Sequence, residues 1–276
     1  MHWLLSGPLS TEELTVNIAG LPASLQGKKL VQLSDFHYDG LRLSEEMLEK
    51  AIAVTNEAKP DLILLTGDYV TDDPTPIHQL ILRLKHLHSR SGIYAALGNH
   101  DIHDKNAKSE VTDALTSIGI HVLWNEIAYP LGKELPIVGL ADSWSREFYP
   151  ARVMNQLNPD TPCIVLSHNP DTAETLQAWR VDLQLSGHTH GGQIVIPGFG
   201  PAALAYSKIT KNIPLAVRRR VPFLEVNVSV VKHWEWAQGF HRIGKNQMYV
   251  NRGLGTYLPG RLFCRPEVTI ITLQGE

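Results

Sequence analysis

Short apolar runs alternate with longer amphipathic stretches through most of the chain, the pattern of an α/β fold. The first unit reads as a strand over 29–33, a helix over 44–58 and a second strand over 61–66. Ser44 is placed to cap that helix, with Glu45 and Glu46 in the first turn, where the helix dipole favours acid. Met47, Leu48, Ala51, Ile52 and Thr55 follow at helical spacing, and Pro60 lies beyond the end. A second helix carries Ile77, Leu80, Ile81, Leu84 and Leu87 on one stripe. Its His78, His86 and His88 fall among Arg and Lys neighbours and read as a solvated face.

Five apolar runs end in turns that carry polar, metal-competent side chains. Leu30-Val31-Gln32-Leu33 precedes Ser34-Asp35-Phe36-His37, and Leu62-Ile63-Leu64-Leu65 precedes Thr66-Gly67-Asp68. The run over 93–97 precedes Gly98-Asn99-His100-Asp101, and Ile164-Val165-Leu166 precedes Ser167-His168-Asn169. Leu183-Gln184-Leu185 precedes Ser186-Gly187-His188-Thr189-His190. In open α/β sheets, ligands bind beyond the carboxyl ends of the strands, so these turns are expected to converge at one edge. Asp35 and His37 are one residue apart, which on extended backbone puts both side chains on one side. His188 and His190 repeat that spacing after Gly187. Asp68 follows Gly67, and Asn99 adds a neutral amide oxygen. This nitrogen and oxygen set, without sulfur, suits Mn²⁺, Fe²⁺ or Zn²⁺.

Composition narrows the picture. The 276 residues are 43% hydrophobic and 19% charged, enough apolar material for a sizeable core. Two cysteines, Cys163 and Cys264, cannot build a disulfide framework and read as free thiols of a reducing compartment. The net charge of −3 argues against an obligatory nucleic-acid partner. That value hides an asymmetry, because residues 201–246 hold eight basic and two acidic side chains while the remainder carries −9. Within this basic segment Val226, Val228 and Val230 alternate with polar residues as in a half-buried strand. Trp234 and Trp236 read as packing on the core. No run reaches the ~18 apolar residues of a membrane span. The start lacks the basic and apolar regions of a secretory signal. A cytoplasmic protein, at most peripheral to the inner face of the membrane, is expected.

The ordered set Asp35-x-His37, Gly67-Asp68, Gly98-Asn99-His100-Asp101, His168 and Gly187-His188-Thr189-His190 resembles the calcineurin-like metallophosphoesterase family. Residues 1–30 and the basic segment lie outside the resemblance, and residues 247–273 read as the strands that finish the fold. Asn251-Arg252-Gly253-Leu254-Gly255 is similar to a bacterial subgroup, often membrane-associated, that includes UDP-2,3-diacylglucosamine hydrolases. The resemblance implies an α/β fold, a four-layer α/β/β/α sandwich of two mixed sheets flanked by helices, with metal ligands on loops at strand C-terminal ends. It implies one domain over 1–276 with a basic, apolar insertion at about 201–246.

It also implies two divalent ions, manganese favoured over iron or zinc. Asp35, His37, Asp68 and His190 would hold one, and Asp68, Asn99, His168 and His188 the other. Metal-bound hydroxide would attack phosphorus directly. His100 would stabilise or protonate the leaving group, with Asp101 orienting its ring. The substrate expected is a small phosphorylated compound, lipid-linked or a nucleotide sugar such as UDP-2,3-diacylglucosamine, with Arg218, Arg219 and Arg220 meeting its phosphates or a lipid surface. The alternatives are a soluble nucleotide or cyclic-nucleotide phosphodiesterase and a non-catalytic scaffold. The oligomeric state is left open.

Overall fold

The computed structural model describes residues 6–210, 213 and 230–276. Among them, one six-stranded sheet holds β1 (Ser10–Ile18), β2 (Lys29–Leu33), β3 (Leu62–Leu65), β4 (Ile93–Ala95), β5 (Ile120–Val122) and β14 (Glu267–Gly275). Their spatial order is β1-β14-β2-β3-β4-β5. A second sheet holds β6 (Glu126–Ala128), β7 (Ile137–Gly139), β8 (Ile164–Leu166), β9 (Leu183–Ser186), β12 (Gly239–Ile243) and β13 (Asn246–Val250), in the order β12-β13-β9-β8-β7-β6. Both are mixed: β2 to β5 run parallel while β14 is antiparallel to β2, and β7 to β9 run parallel while β6 and β12 are antiparallel to their neighbours. A small hairpin joins β10 (Val195–Ile196) to β11 (Gly200–Pro201).

The central strands are continuous apolar runs because both of their faces are covered. On β2 and β3, Val31, Leu33, Ile63 and Leu65 face α1 (Glu45–Glu57), α2 (Ile77–Leu84) and α3 (Ala107–Ser117). Leu30, Leu62 and Leu64 face the other way and meet Ile164, Leu166, Leu183 and Leu185 between the sheets. Behind the second sheet, Val138 and Val165 pack with Val153 and Met154 of α4 (Pro150–Met154) and Leu176 of α5 (Ala173–Leu176). The layers are therefore helix, sheet, sheet and helix. The Ser44 cap is present, its Oγ accepting from the Met47 amide at 3.3 Å.

Two regions outside the resemblance have definite places. β1 pairs with β14 along its whole length at the sheet edge. In the basic segment, α6 (Ala202–Thr210) packs through Ala203 and Leu204 on Val231, Trp234 and Ala237, and Trp236 lies against Ile243, Met248 and Val250. Both tryptophans thus pack as expected. Of the alternating valines, Val230 lies in a turn; Val226 and Val228, like Arg218, Arg219 and Arg220, lie outside the described residues. Among the described residues no helix is long and apolar enough to cross a membrane.

Candidate metal centre

The register aligns the strand ends. Leu33 pairs with Leu65, Leu65 with Ala95 and Leu166 with Leu185, so the turns that follow all leave at one level. Asp35, His37, Asp68, His188 and His190 then take left-handed backbone conformations, with φ between 44° and 70°. Asp and His are among the residues that tolerate this region, and such strain concentrates at functional sites. Two glycines let the loops close. A Cβ on Gly98 would lie 2.2 Å from Asp68 Oδ1, and one on Gly187 2.2 Å from Asp35 Oδ2.

Six of the seven expected ligands fall into two groups whose donor atoms lie within 4.8 Å of one another: Asp35, His37 and His190, and Asp68, His168 and His188. Asp68 Oδ2 is 3.1 Å from His168 Nε2 and 3.5 Å from His37 Nε2, so it stands between the groups. His37 Nε2 faces His190 Nε2 at 3.1 Å, and His190 Nε2 is 3.5 Å from Asp35 Oδ1. The seventh, Asn99, has its Oδ1 buried with no hydrogen-bond partner among the described residues. His100, expected only beside the metals, forms a third group with His37 and Asp68.

Main-chain carbonyls settle the tautomers, since a carbonyl can only accept. His168 Nδ1 donates to Thr66 O at 2.6 Å, His190 Nδ1 to Gly255 O at 3.2 Å and His100 Nδ1 to Thr71 O at 3.0 Å. In each ring this turns Nε2 toward the cluster, His168 Nε2 lying 3.1 Å from Asp68 Oδ2. His188 is reversed: Nε2 donates to Val230 O at 3.1 Å, freeing Nδ1. Burial lowers His37 to about 3 and His188 to about 4, and takes His190 well below the usual range, so all three are neutral near pH 7. Burial pulls His168 down too, but the carboxylates of Asp68, Asp35 and Asp142 outweigh it and hold the ring well above the usual value. Burial pushes Asp35 up to about 6. Lone pairs converging with buried carboxylates and an unpartnered amide oxygen fit divalent cations of hard or borderline character.

Asp101 requires a correction. It does not orient the His100 ring. Its Oδ2 accepts from the Asp68 and Gly98 amides and its Oδ1 from those of Tyr69 and Val70, while Thr71 holds the His100 ring. In the 3-10 turn His100–Ile102 successive side chains diverge by about a third of a turn, so neighbours in sequence point apart. Burial and the Asp68 charge push Asp101 up to about 7, and the amides draw it back.

Three residues of the site escaped the sequence reading. The Tyr257 hydroxyl lies 3.1 Å from His37 Nδ1 and 3.5 Å from His100 Nε2, with the Arg42 guanidinium 4.5 Å from its ring centre. Arg261 is half-buried and donates to the carbonyls of Arg252 at 2.7 Å, Gly255 at 2.6 Å and His190 at 3.3 Å, binding the last loop to the cluster. Asp142 accepts from the Trp144 amide through Oδ1, and its other oxygen is buried without a partner among the described residues. Burial pushes it up to about 6. A sequence signal existed only for Asp142, which closes the apolar run over 137–141 as the other five endings close theirs.

Two sheets that gather buried imidazoles and carboxylates at their strand ends define a divalent-metal site of hydrolytic type. The description calcineurin-like phosphoesterase belongs to the family model that matches residues 28–192, and the chain is a member of that family, a metal-dependent phosphoric ester hydrolase. Among its relatives, the uncharacterized metallophosphoesterase YkuE of Bacillus subtilis is 32% identical over 273 residues, 96% of this chain and 86% of the relative. The phosphodiesterase YaeI of Escherichia coli is 32% identical over 89% of this chain and 82% of its own. The UDP-2,3-diacylglucosamine pyrophosphatase LpxG of Chlamydia trachomatis is 28% identical over 95% of this chain and 88% of its own.

Proposed function

We propose that the chain is a two-metal phosphohydrolase acting on a small, lipid-linked phosphate compound such as UDP-2,3-diacylglucosamine, in the cytoplasm at the inner face of the membrane. The observation that carries the metal reading is the pair of adjoining groups, Asp35, His37 and His190 and Asp68, His168 and His188, with Asn99 Oδ1 buried and without a hydrogen-bond partner among the described residues. Asp35, His37, Asp68 and His190 would hold one ion and Asp68, Asn99, His168 and His188 the other, with Asp68 common to both. When bound, two divalent ions, Mn²⁺ favoured, supply Lewis acidity to phosphoryl oxygens and lower the pKa of water.

The remaining chemistry belongs to the chain. The His100 imidazole keeps Nδ1 on Thr71 O, which leaves Nε2 on the side of His37, Asp68 and the Tyr257 hydroxyl, where it would give a proton to the leaving oxygen. The Tyr257 hydroxyl, between His37 Nδ1 and His100 Nε2, fixes both rings. The segment over 201–246 acts as an insertion of a single domain, its Arg218, Arg219 and Arg220 meeting anionic groups. The LpxG likeness supports the lipid-linked substrate; the YaeI likeness supports a second reading, a soluble nucleotide or cyclic-nucleotide phosphodiesterase.

The test compares wild type, Asp68→Ala and Asn99→Ala with Mn²⁺ on a chromogenic phosphodiester, a cyclic nucleotide and UDP-2,3-diacylglucosamine in detergent. Both variants should lose about a thousandfold in turnover and part of their bound metal. Full activity in either refutes the ligand assignment. Faster turnover of the cyclic nucleotide than of the lipid diphosphate replaces the first substrate reading by the second.

A further inference from the structure

Large apolar side chains stand in solvent on the loops around Tyr257. Phe199 is 78% exposed, Leu258 81%, Phe263 70% and Leu262 54%. They are not scattered over the surface. The β10–β11 hairpin leaves the His190–Gly192 turn and carries Phe199 toward its tip. It is stitched to the last loop, Val195 N donating to Leu262 O at 2.9 Å and Leu262 N to Gln193 O at 2.8 Å. Leu258 directly follows Tyr257, whose hydroxyl reaches His37 and His100. Leu41, also exposed, precedes the Arg42 that lies over the Tyr257 ring. The tips thus belong to two hydrogen-bonded loops that lead away from His190 and Tyr257, and exposed apolar side chains grouped in this way mark an interaction surface.

Two further observations say what it meets. Phe263 has φ 53°, a left-handed conformation that is a genuine outlier for a bulky side chain and that Asn or Gly adopts with ease. The fold accepts this strain yet leaves the ring mostly in solvent, so packing within the chain does not account for it. The two loops, 194–201 and 257–265, contain no Asp or Glu, although the chain as a whole is acidic, and Arg265 is exposed beside Phe263. Apolar tips with a basic neighbour and no acid complement an anionic lipid surface, where rings enter the acyl boundary and guanidinium groups meet headgroups.

We propose that loops 194–201 and 257–265 form a membrane-docking surface that inserts Phe199, Leu258, Leu262 and Phe263 into an anionic bilayer and holds the metal centre against it. The purpose of this surface rests on the lipid-linked reading above, but its test does not depend on turnover. The full chain is sedimented with vesicles of phosphatidylglycerol and phosphatidylethanolamine, and separately with phosphatidylcholine vesicles. Wild type should bind the anionic vesicles more tightly, and Phe199→Ser and Phe263→Asn should each weaken binding about tenfold, the pair more. Both variants should hydrolyse a chromogenic diester at the wild-type rate, and Phe263→Asn should melt no lower than wild type because Asn relieves the strain. Vesicle binding that is absent in wild type, or unchanged in the pair, overturns the proposal. So does a concentration-dependent dimer of wild type that the pair abolishes without change in lipid binding, which would give the patch to a second copy. Vesicle binding that holds while UDP-2,3-diacylglucosamine is not hydrolysed in detergent removes the substrate reading and leaves this surface standing.

Discussion

Asp101→Asn keeps the shape of the side chain and replaces one acceptor oxygen by a group that can only donate. Oδ2 accepts from the Asp68 and Gly98 amides, both at 2.8 Å, and Oδ1 from Tyr69 at 2.8 Å and Val70 at 3.3 Å. Whichever way the new amide turns, two buried N–H groups lose their acceptor and face a donor. Turning its nitrogen toward Tyr69 and Val70 gives up the longer bond and is the cheaper choice. At roughly 1–3 kcal/mol for each buried group left unpaired, the substitution costs about 2–6 kcal/mol. That is a large part of a stability of about 5–15 kcal/mol, and it lowers Tm by roughly 5–20 °C in a chain of this size. Thermal and urea unfolding are best compared at pH 8, above the value of about 7 to which burial raises the group, so that wild type presents a carboxylate. Turnover per folded molecule, read below the transition on a chromogenic diester, should fall by less than about tenfold, since no catalytic group is touched directly. An unchanged Tm with turnover down a hundredfold, and a displaced limb of the pH profile, would mean that Asp101 acts through the His100 ring after all.

Three smaller experiments probe the surrounding contacts. Tyr257→Phe removes the hydroxyl between His37 and His100; turnover or Mn²⁺ affinity should fall about tenfold to a hundredfold with Tm nearly unchanged, and a metal titration showing neither loss would exclude Tyr257 from the site. Gly98→Ala puts a Cβ 2.2 Å from Asp68 Oδ1 and 2.7 Å from its amide, so Asp68 must shift; Mn²⁺ affinity should weaken about tenfold or more, and an unaltered titration curve would contradict the close approach. His37, lowered to about 3 by burial, stays neutral in the fold while the unfolded chain takes up its proton below about 6.5. Its contribution is therefore present at high pH and lost as the pH falls through that window. Without divalent metal, the stability of wild type relative to His37→Gln should drop by roughly 2 kcal/mol between pH 6.5 and pH 4.5, and urea midpoints that keep a constant separation would refute the burial argument.

What could be read in the chain and what could not divides along physical lines. The strands of the inner layers announce themselves because both faces are buried, so Leu62-Ile63-Leu64-Leu65 carries no polar position and its end is abrupt. The candidate ligands follow at once, within a few residues of the strand ends, so residue type after each apolar run points to them. β1 gives no such sign: Glu12 and Glu13 interrupt it, and at a sheet edge with one partner it needs no apolar run. The groups that finish the site are hidden for a different reason. Thr66, Thr71 and Gly255 contribute carbonyls, which every residue possesses, and Tyr257 and Arg261 arrive on a loop whose spacing obeys no period. Asp101 misleads because adjacency to His100 in sequence is separation in space within a 3-10 turn, whereas the amide of Asp68, 33 residues away, is within 2.8 Å. Side chains that meet a metal can be found from residue type and order; those that position them depend on which backbone groups the fold leaves without a partner, and that accounting begins only when the loops are placed. By the same logic the apolar tips at Phe199 and Phe263 look like ordinary loop residues in sequence, and only their exposure and the left-handed backbone at Phe263 set them apart from the core.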